Sequence, residues 1–288
     1  MSGMKKRIWG IVWLSAFLLA GIMASVSAAA AQDASIEFVA HATPSGGLEE
    51  PVRGFPFFLL SKSFVEIEKE AEAAYPKPDM DAFISKLDVS PELKAWMKKN
   101  SWVDISGDDF THKLRPDDIL GVPEFKTAYM DRNAGDQSAD FPKPKYKASD
   151  ETKNPAKFKK LSDDYIETIR RYIEQHPQST DGLGLNLSDI DPGPKWDSLL
   201  GARVTAIHRR TLDLAQANYL VARSETNLQG QGFLRGLAPG TYWLSTLDEP
   251  AVVGNARPRW DTPVTLRAGE TKYVALSNSN SVREPESK

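Results

Sequence analysis

Four histidines, no cysteine and a scatter of acidic clusters are the material from which this 288-residue chain could build a chemical site. His41, His112, His176 and His208 stand apart, and none falls in H-E-x-x-H or H-x-x-E, the spacings that set two metal ligands on one helix face. A zinc site would have to be assembled from distant positions. Without cysteine there is no thiol nucleophile, no disulfide framework and no lipid-carrying residue. No G-x-S-x-G elbow occurs. Gly230-x-Gly232-x-x-x-Gly236 has its third glycine one place late for a dinucleotide loop and reads as hairpin chemistry. Asp104/Asp108/Asp109, Asp117/Asp118, Asp163/Asp164 and Asp189/Asp191 lack EF-hand spacing, and several stand where helices begin and acids are stabilising. Calcium at one of them stays open. No catalytic residue, metal ligand or cofactor is assigned. The remaining candidates are aromatic: Tyr242, Trp243 and Trp260 lie in or beside late strands, where an exposed ring would contact a ligand. Alternation puts Tyr242 and Trp243 on opposite faces, so one of them meets either solvent or a covering layer of helices.

The elements that must position these rings fall into three zones. Residues 34–61 are β-like: Ile36-Glu37-Phe38-Val39-Ala40, a Pro44-Ser45-Gly46-Gly47 turn, then a run from Pro51 to Leu60 in which Pro56 suggests an edge or bulged strand. Residues 62–217 carry helix signals. Ser63 with Glu66 reads as a capping box ahead of Phe64, Ile67, Ala71, Ala74 and Tyr75, and Ser90-Pro91-Glu92 opens a helix lined by Leu93, Trp96 and Met97. Residues 131–154 are polar and read as an exposed linker. Asn154-Pro155 starts the clearest stripe, Phe158, Leu161, Tyr165, Ile169, Tyr172 and Ile173. A second stripe runs through Trp196, Leu199, Leu200, Val204, Ile207, Leu212 and Ala215. From 218 to 280 the chain returns to short strands, and residues 281–288 read as a disordered tail.

The first 31 residues read as an export signal: Lys5-Lys6-Arg7, an uncharged apolar run from Ile8 through Val26, then Ser27-Ala28-Ala29-Ala30-Ala31, with cleavage expected after Ala31. The rival is a retained anchor, since the apolar run approaches the roughly 20 residues a spanning helix needs. Only then is membrane a partner. Removing those three bases from 36 leaves 33 against 39 acids, a formal charge of −6 that argues against nucleic acid. Export without disulfides points to the periplasm or cell surface of a bacterium.

Pro51-Val52-Arg53-Gly54, Gly232-Phe233, Leu237-Ala238-Pro239-Gly240-Thr241-Tyr242 and the closing Pro263-Val264…Ala268-Gly269-Glu270…Val274-Ala275-Leu276 together resemble the carboxypeptidase regulatory-like domain, a transthyretin-like (prealbumin-like) sandwich related in design to Cna-B repeats. The resemblance implies an antiparallel prealbumin-like β-sandwich, and the helix signals of residues 62–217 place a helical insertion between its early strands, so the fold class expected is α+β. It also implies that Pro239 sets a turn, Gly240 supplies positive φ and Tyr242 packs inward. The departure is the insertion, about 155 residues long, a length that costs little closure entropy at a loop. Fold likeness does not give function. The function expected is that of an exported, non-enzymatic envelope protein with an interaction or structural role, its partner an envelope protein or a cell-surface glycan. A carbohydrate-binding module is the alternative, and an enzyme with its site inside the insertion the second alternative.

Overall fold

The computed structural model describes residues 33–107, 109–134 and 141–282. The segment read as an export signal and most of the expected tail lie outside the described residues, although Ser281 and Val282, counted with that tail, are tied in: Val282 N donates to Arg259 O at 2.7 Å. The chain is α+β, with helices and predominantly antiparallel sheets. Among the described residues no helix is long and apolar enough to cross a membrane.

Strict period-two patterning builds β1 (Ala34–Ala42). Ile36, Phe38 and Ala40 are buried, whereas Glu37 is exposed and Ser35 and Val39 are partly so. β1 is bonded along both edges. β5 (Gln231–Leu237) runs antiparallel to it with Glu37 opposite Phe233, and β8 (Thr271–Leu276) runs parallel with Glu37 opposite Tyr273. This parallel ladder departs from the all-antiparallel expectation. It arises because β8 enters from the second sheet and lies beside β1 in the same direction. The two-residue β2 (Glu50–Pro51) extends the sheet at His41. Gly232 is required here by close approach: a Cβ at that position would stand 2.1 Å from the Phe38 ring, which lies across the glycine.

The second sheet has the order β4 (Leu220–Glu225), β3 (Pro56–Leu60), β6 (Gly240–Ser245), β7 (Asp261–Leu266), all antiparallel. Pro56 does not make β3 an edge strand. It occupies the first position, where only β4 lies alongside, and pairing with β6 begins at Phe58. The bulge expected of this strand is present between Leu59 and Leu60. Phe57, Leu59, Leu244, Val264 and Leu266 face the first sheet and share one cluster with Ile36, Phe38, Leu234 and Leu276. The other side of this sheet carries Leu60, with Phe58 and Trp243, against α1 (Phe64–Ala73) and the end of α8 (Gly193–Leu214). A third cluster joins α2 (Met80–Ser85), α3 (Pro91–Asn100), α4 (Pro116–Gly121), α5 (Pro123–Ala134), α7 (Pro155–Gln175) and the first turn of α8.

Three local expectations are revised. The described part of 131–154 is not all exposed linker: it holds the last turn of α5, the buried Phe141 and the short α6 (Ala148–Lys153). The α8 stripe is broken in its middle, where Leu199, Leu200 and Val204 are exposed, while Trp196 and Ile207 are buried in different clusters. The helix crosses from one core to the other, and no single face serves both. Ser63 forms no capping box with Glu66. Instead the first N–H of α1, on Phe64, donates to Asp261 Oδ2 at 3.0 Å, and the Ser63 hydroxyl donates to the same oxygen at 2.6 Å. A carboxylate from β7 thus caps α1 and pins it to the sheet. Asp261→Ala is expected to lower unfolding stability in urea by about 1–2 kcal/mol, the range for loss of a helix cap; Glu66→Ala, which removes no cap, should leave the midpoint within experimental error.

Candidate binding face

The aromatic residues singled out from the late strands are not available as a group. Trp260 has 0% exposure: its indole Nε1 donates to Ser277 O at 2.9 Å, and its ring lies 5.8 Å from that of Phe57 between the sheets. It is a core residue and cannot reach a surface ligand. Tyr242 and Trp243 take opposite faces of β6, as alternation requires. The half-buried Tyr242 ring packs on the intersheet core, and its hydroxyl donates to Ala238 O at 2.9 Å, closing the Pro239-Gly240 turn. Gly240 itself does not take positive φ; Gly236 (68°) and Gly269 (70°) do. Trp243 is half-buried beneath α1 and α8. The rings foremost in the sequence are thus spent on packing.

Two others are not. Phe233 on β5 is 46% exposed and Tyr273 on β8 is 65% exposed. Both pair in register with Glu37 on the strand between them, so Tyr273, Glu37 and Phe233 form one row across the outer face of the first sheet. Adjacent strands stand about 4.7–4.9 Å apart, which sets the Phe233 and Tyr273 backbones about 10 Å apart with that of Glu37 midway. Among the described residues no donor or cation is bonded to the Glu37 carboxylate. One outward position along, the Ser35 and Thr271 hydroxyls are hydrogen-bonded to each other at 2.9 Å; on the other side of the row Gln231 pairs with Val39. Arg235 is exposed one outward position beyond Phe233. The position of the row follows from the alternation that buries Ile36, Phe38, Leu234 and Leu276, because inward even positions on β1 force Glu37 outward. The alternation within Gln231-Gly232-Phe233-Leu234-Arg235 was a sufficient signal for Phe233. For Tyr273 the partner strand had to be known.

The polar clusters elsewhere hold elements together. Asp191 accepts from Ile105 N at 3.1 Å, from Gly193 N at 2.9 Å and from the Ser106 hydroxyl, tying the 104–107 loop to the start of α8. Asp117 pairs with Arg170 and Asp163 with Lys159. His208 Nδ1 on α8 lies 3.1 Å from Asp248 Oδ2, and Arg259 holds the other carboxylate oxygen. That chain latches α8 to the loop between β6 and β7, and no hydroxyl is bonded to its histidine among the described residues. His176 ends α7 with its ring 4.4 Å from that of Tyr172. No group of three or more His, Asp or Glu side chains able to hold a metal ion occurs among the described residues. A cavity of about 350 Å³ lies between Pro142, Lys143, Lys145 and the Leu161–Thr168 stretch of α7. The Tyr165 hydroxyl that lines it donates to Pro142 O at 3.2 Å, and burial pushes that phenol's pKa up, keeping it a neutral donor.

No protein-family model matches the chain, and no curated protein matches it. Among solved structures, a proposed carbohydrate-binding protein of Pseudomonas aeruginosa aligns at 10% identity over 86% of this chain and 89% of its own, with a TM-score of 0.24. The pilus backbone protein RrgB of Streptococcus pneumoniae aligns at 13% identity over 84% of this chain and 40% of its own, with a TM-score of 0.20. A full-length structure of that pilin gives 11% identity over 85% of this chain and 30% of its own, also at 0.20. Superposition at these scores carries no argument about fold or function.

Stability separates the two sets of aromatics. Trp260→Ala should cost about 3–5 kcal/mol in urea unfolding, as large-to-small core changes do. Phe233→Ala and Tyr273→Ala should each stay within about 0.5 kcal/mol of the parent. A large loss at either would show that these rings are there for packing.

Proposed function

We propose that this chain is an exported, non-enzymatic binding protein of the bacterial envelope, and that it recognises its partner through the outer face of the first sheet. The observation that carries the reading is the Tyr273–Glu37–Phe233 row: two large exposed rings, in register, with a carboxylate between them that has no partner among the described residues. Exposed aromatic rings brought into one row are the kind of surface that recognition uses. The charged, apolar and small-residue zones of residues 1–31 support export.

In this reading the two sheets are a prealbumin-like sandwich, made of residues 32–61 and 218–280 and interrupted by a helical insertion at 62–217. Support comes from the intersheet cluster and from the position of the helices, which follow β3 and precede β4 in the chain. The insertion covers the outer side of the second sheet through α1 and α8. That leaves the first sheet as the open one. Tyr242, Trp243 and Trp260 then serve as packing residues, and the ligand-contact role passes to Phe233 and Tyr273.

Co-sedimentation of the exported chain with isolated bacterial envelopes tests the assignment. The parent should pellet with the envelope fraction, and the Phe233→Ala/Tyr273→Ala double variant should lose at least about tenfold in apparent affinity, the effect of about 1.4 kcal/mol. Retention of full binding by a folded double variant would remove the face from the account.

A further inference from the structure

The geometry points to an uncharged polysaccharide as the ligand of this face, gripped at internal units of an extended chain. The inference rests on the reading of the face as the recognition surface and adds the chemistry of what is recognised. It starts from spacing. Tyr273 and Phe233 stand two strand spacings apart, about 10 Å, on opposite sides of Glu37. That separation matches the distance from one pyranose ring to the next but one in an extended chain, so two alternate rings can each lie on an aromatic face while the ring between them sits over the carboxylate. Pyranose rings present C–H faces to aromatic rings and hydroxyls at their edges, and the row supplies the complement to both.

Charge narrows the class further. An ionised carboxylate only accepts hydrogen bonds, and the Glu37 carboxylate has no donor among the described residues. Sugar hydroxyls satisfy it; a uronate, sulfate or phosphate placed between the rings would be repelled by it. The other charged groups near the face lie off the row. Arg235 is one outward position further along β5, and Lys272 is next to Tyr273 on the strand, with Glu270 3.7 Å from its ammonium. The acidic balance of the exported chain, −6 after loss of the leader, acts in the same direction. Polar groups flank the row as a glycan requires: the Ser35 and Thr271 hydroxyls on one side, and on the other the Gln231 amide, whose Oε1 accepts from Asn227 Nδ2 at 3.2 Å and whose NH2 can donate. A protein partner fits less well, since protein interfaces deplete charge at their centres and bury roughly 800 Å² on each side. This row places a carboxylate at its centre and offers only two large apolar side chains.

The open end of the row argues for internal units. Among the described residues β8 pairs only with β1, so beyond Tyr273 the row runs off the edge of the sheet. A chain lying across the strands can continue past that edge, which a pocket for a terminal sugar would prevent.

Titration calorimetry on the exported chain supplies the test, with neutral hexasaccharides (β-1,4-glucose, β-1,4-N-acetylglucosamine and α-1,4-glucose), their disaccharides, and hexagalacturonate as the anionic probe. At least one neutral hexamer should bind about tenfold or more tighter than its disaccharide and than hexagalacturonate. Phe233→Ala and Tyr273→Ala should each weaken it about tenfold, the effect of about 1.4 kcal/mol, and Glu37→Gln should narrow the preference over hexagalacturonate. Equal affinity for disaccharide and hexamer would overturn the internal-unit claim, and preference for hexagalacturonate would overturn the uncharged class. If no saccharide binds while envelope co-sedimentation still depends on Phe233 and Tyr273, the face stands, its partner is a protein and the inference is wrong. If co-sedimentation is also indifferent to both rings, the face itself falls.

Discussion

β1 is bonded along both edges and buried on one side only, and the rest of the molecule is arranged around that constraint. Its inward residues, Ile36, Phe38 and Ala40, belong to the cluster that the two sheets share. Its outward residues therefore have no choice of direction, because a period-two strand held on both edges cannot rotate one side chain without slipping register for all of them. Glu37 must face out, and the residues opposite it, Phe233 and Tyr273, must face out with it. The second sheet meets the opposite condition. It packs against the first sheet on one side and against α1 and α8 on the other, so its large rings are absorbed into two cores.

The helices are joined to the sheets by polar staples as well as by packing. Asp261 caps α1 from β7. Glu70 on α1 accepts from Lys62 and from the Tyr219 hydroxyl just beyond α8; those two bonds hold its carboxyl pKa below the usual range. Arg203 spans from α8 to α1, donating to Tyr75 O and to Glu72, each at 2.8 Å. Asp248 joins His208 on α8 to Arg259. Individually such exposed pairs contribute little to stability. Their common effect is to fix α1 and α8 over one side of the second sheet; among the described residues no helix packs on the outer face of β1, β5 and β8.

What could be read from the sequence was whatever is local. The alternation of Ile36 to Ala40, the Asn154-Pro155 start of α7, the Ser90 cap and the opposite orientations of Tyr242 and Trp243 all depend on neighbours a few residues away. The burial of Trp260 is not legible locally, because it depends on Phe57 and Ser277, distant in sequence, whereas its own neighbours, Arg259 and Asp261, are polar. The cap of α1 was equally hidden, since Asp261 lies 197 residues from Phe64. The α8 stripe looked continuous because period counting cannot show that Trp196 and Ile207 serve different cores. The proposed binding face is half legible: Phe233 shows in its own strand, but its alignment with Glu37 and Tyr273 exists only once β5 and β8 flank β1.

Hydroxyl-radical footprinting of the chain without residues 1–31, with and without isolated envelope material, tests the central claim most directly because it reads exposure side chain by side chain. The account predicts strong protection of Phe233 and Tyr273 by the envelope fraction, with no change at Leu199 and Val204 on the exposed middle of α8. Unchanged labelling of both rings together with protection of Leu199 and Val204 would contradict it and move recognition to the helices.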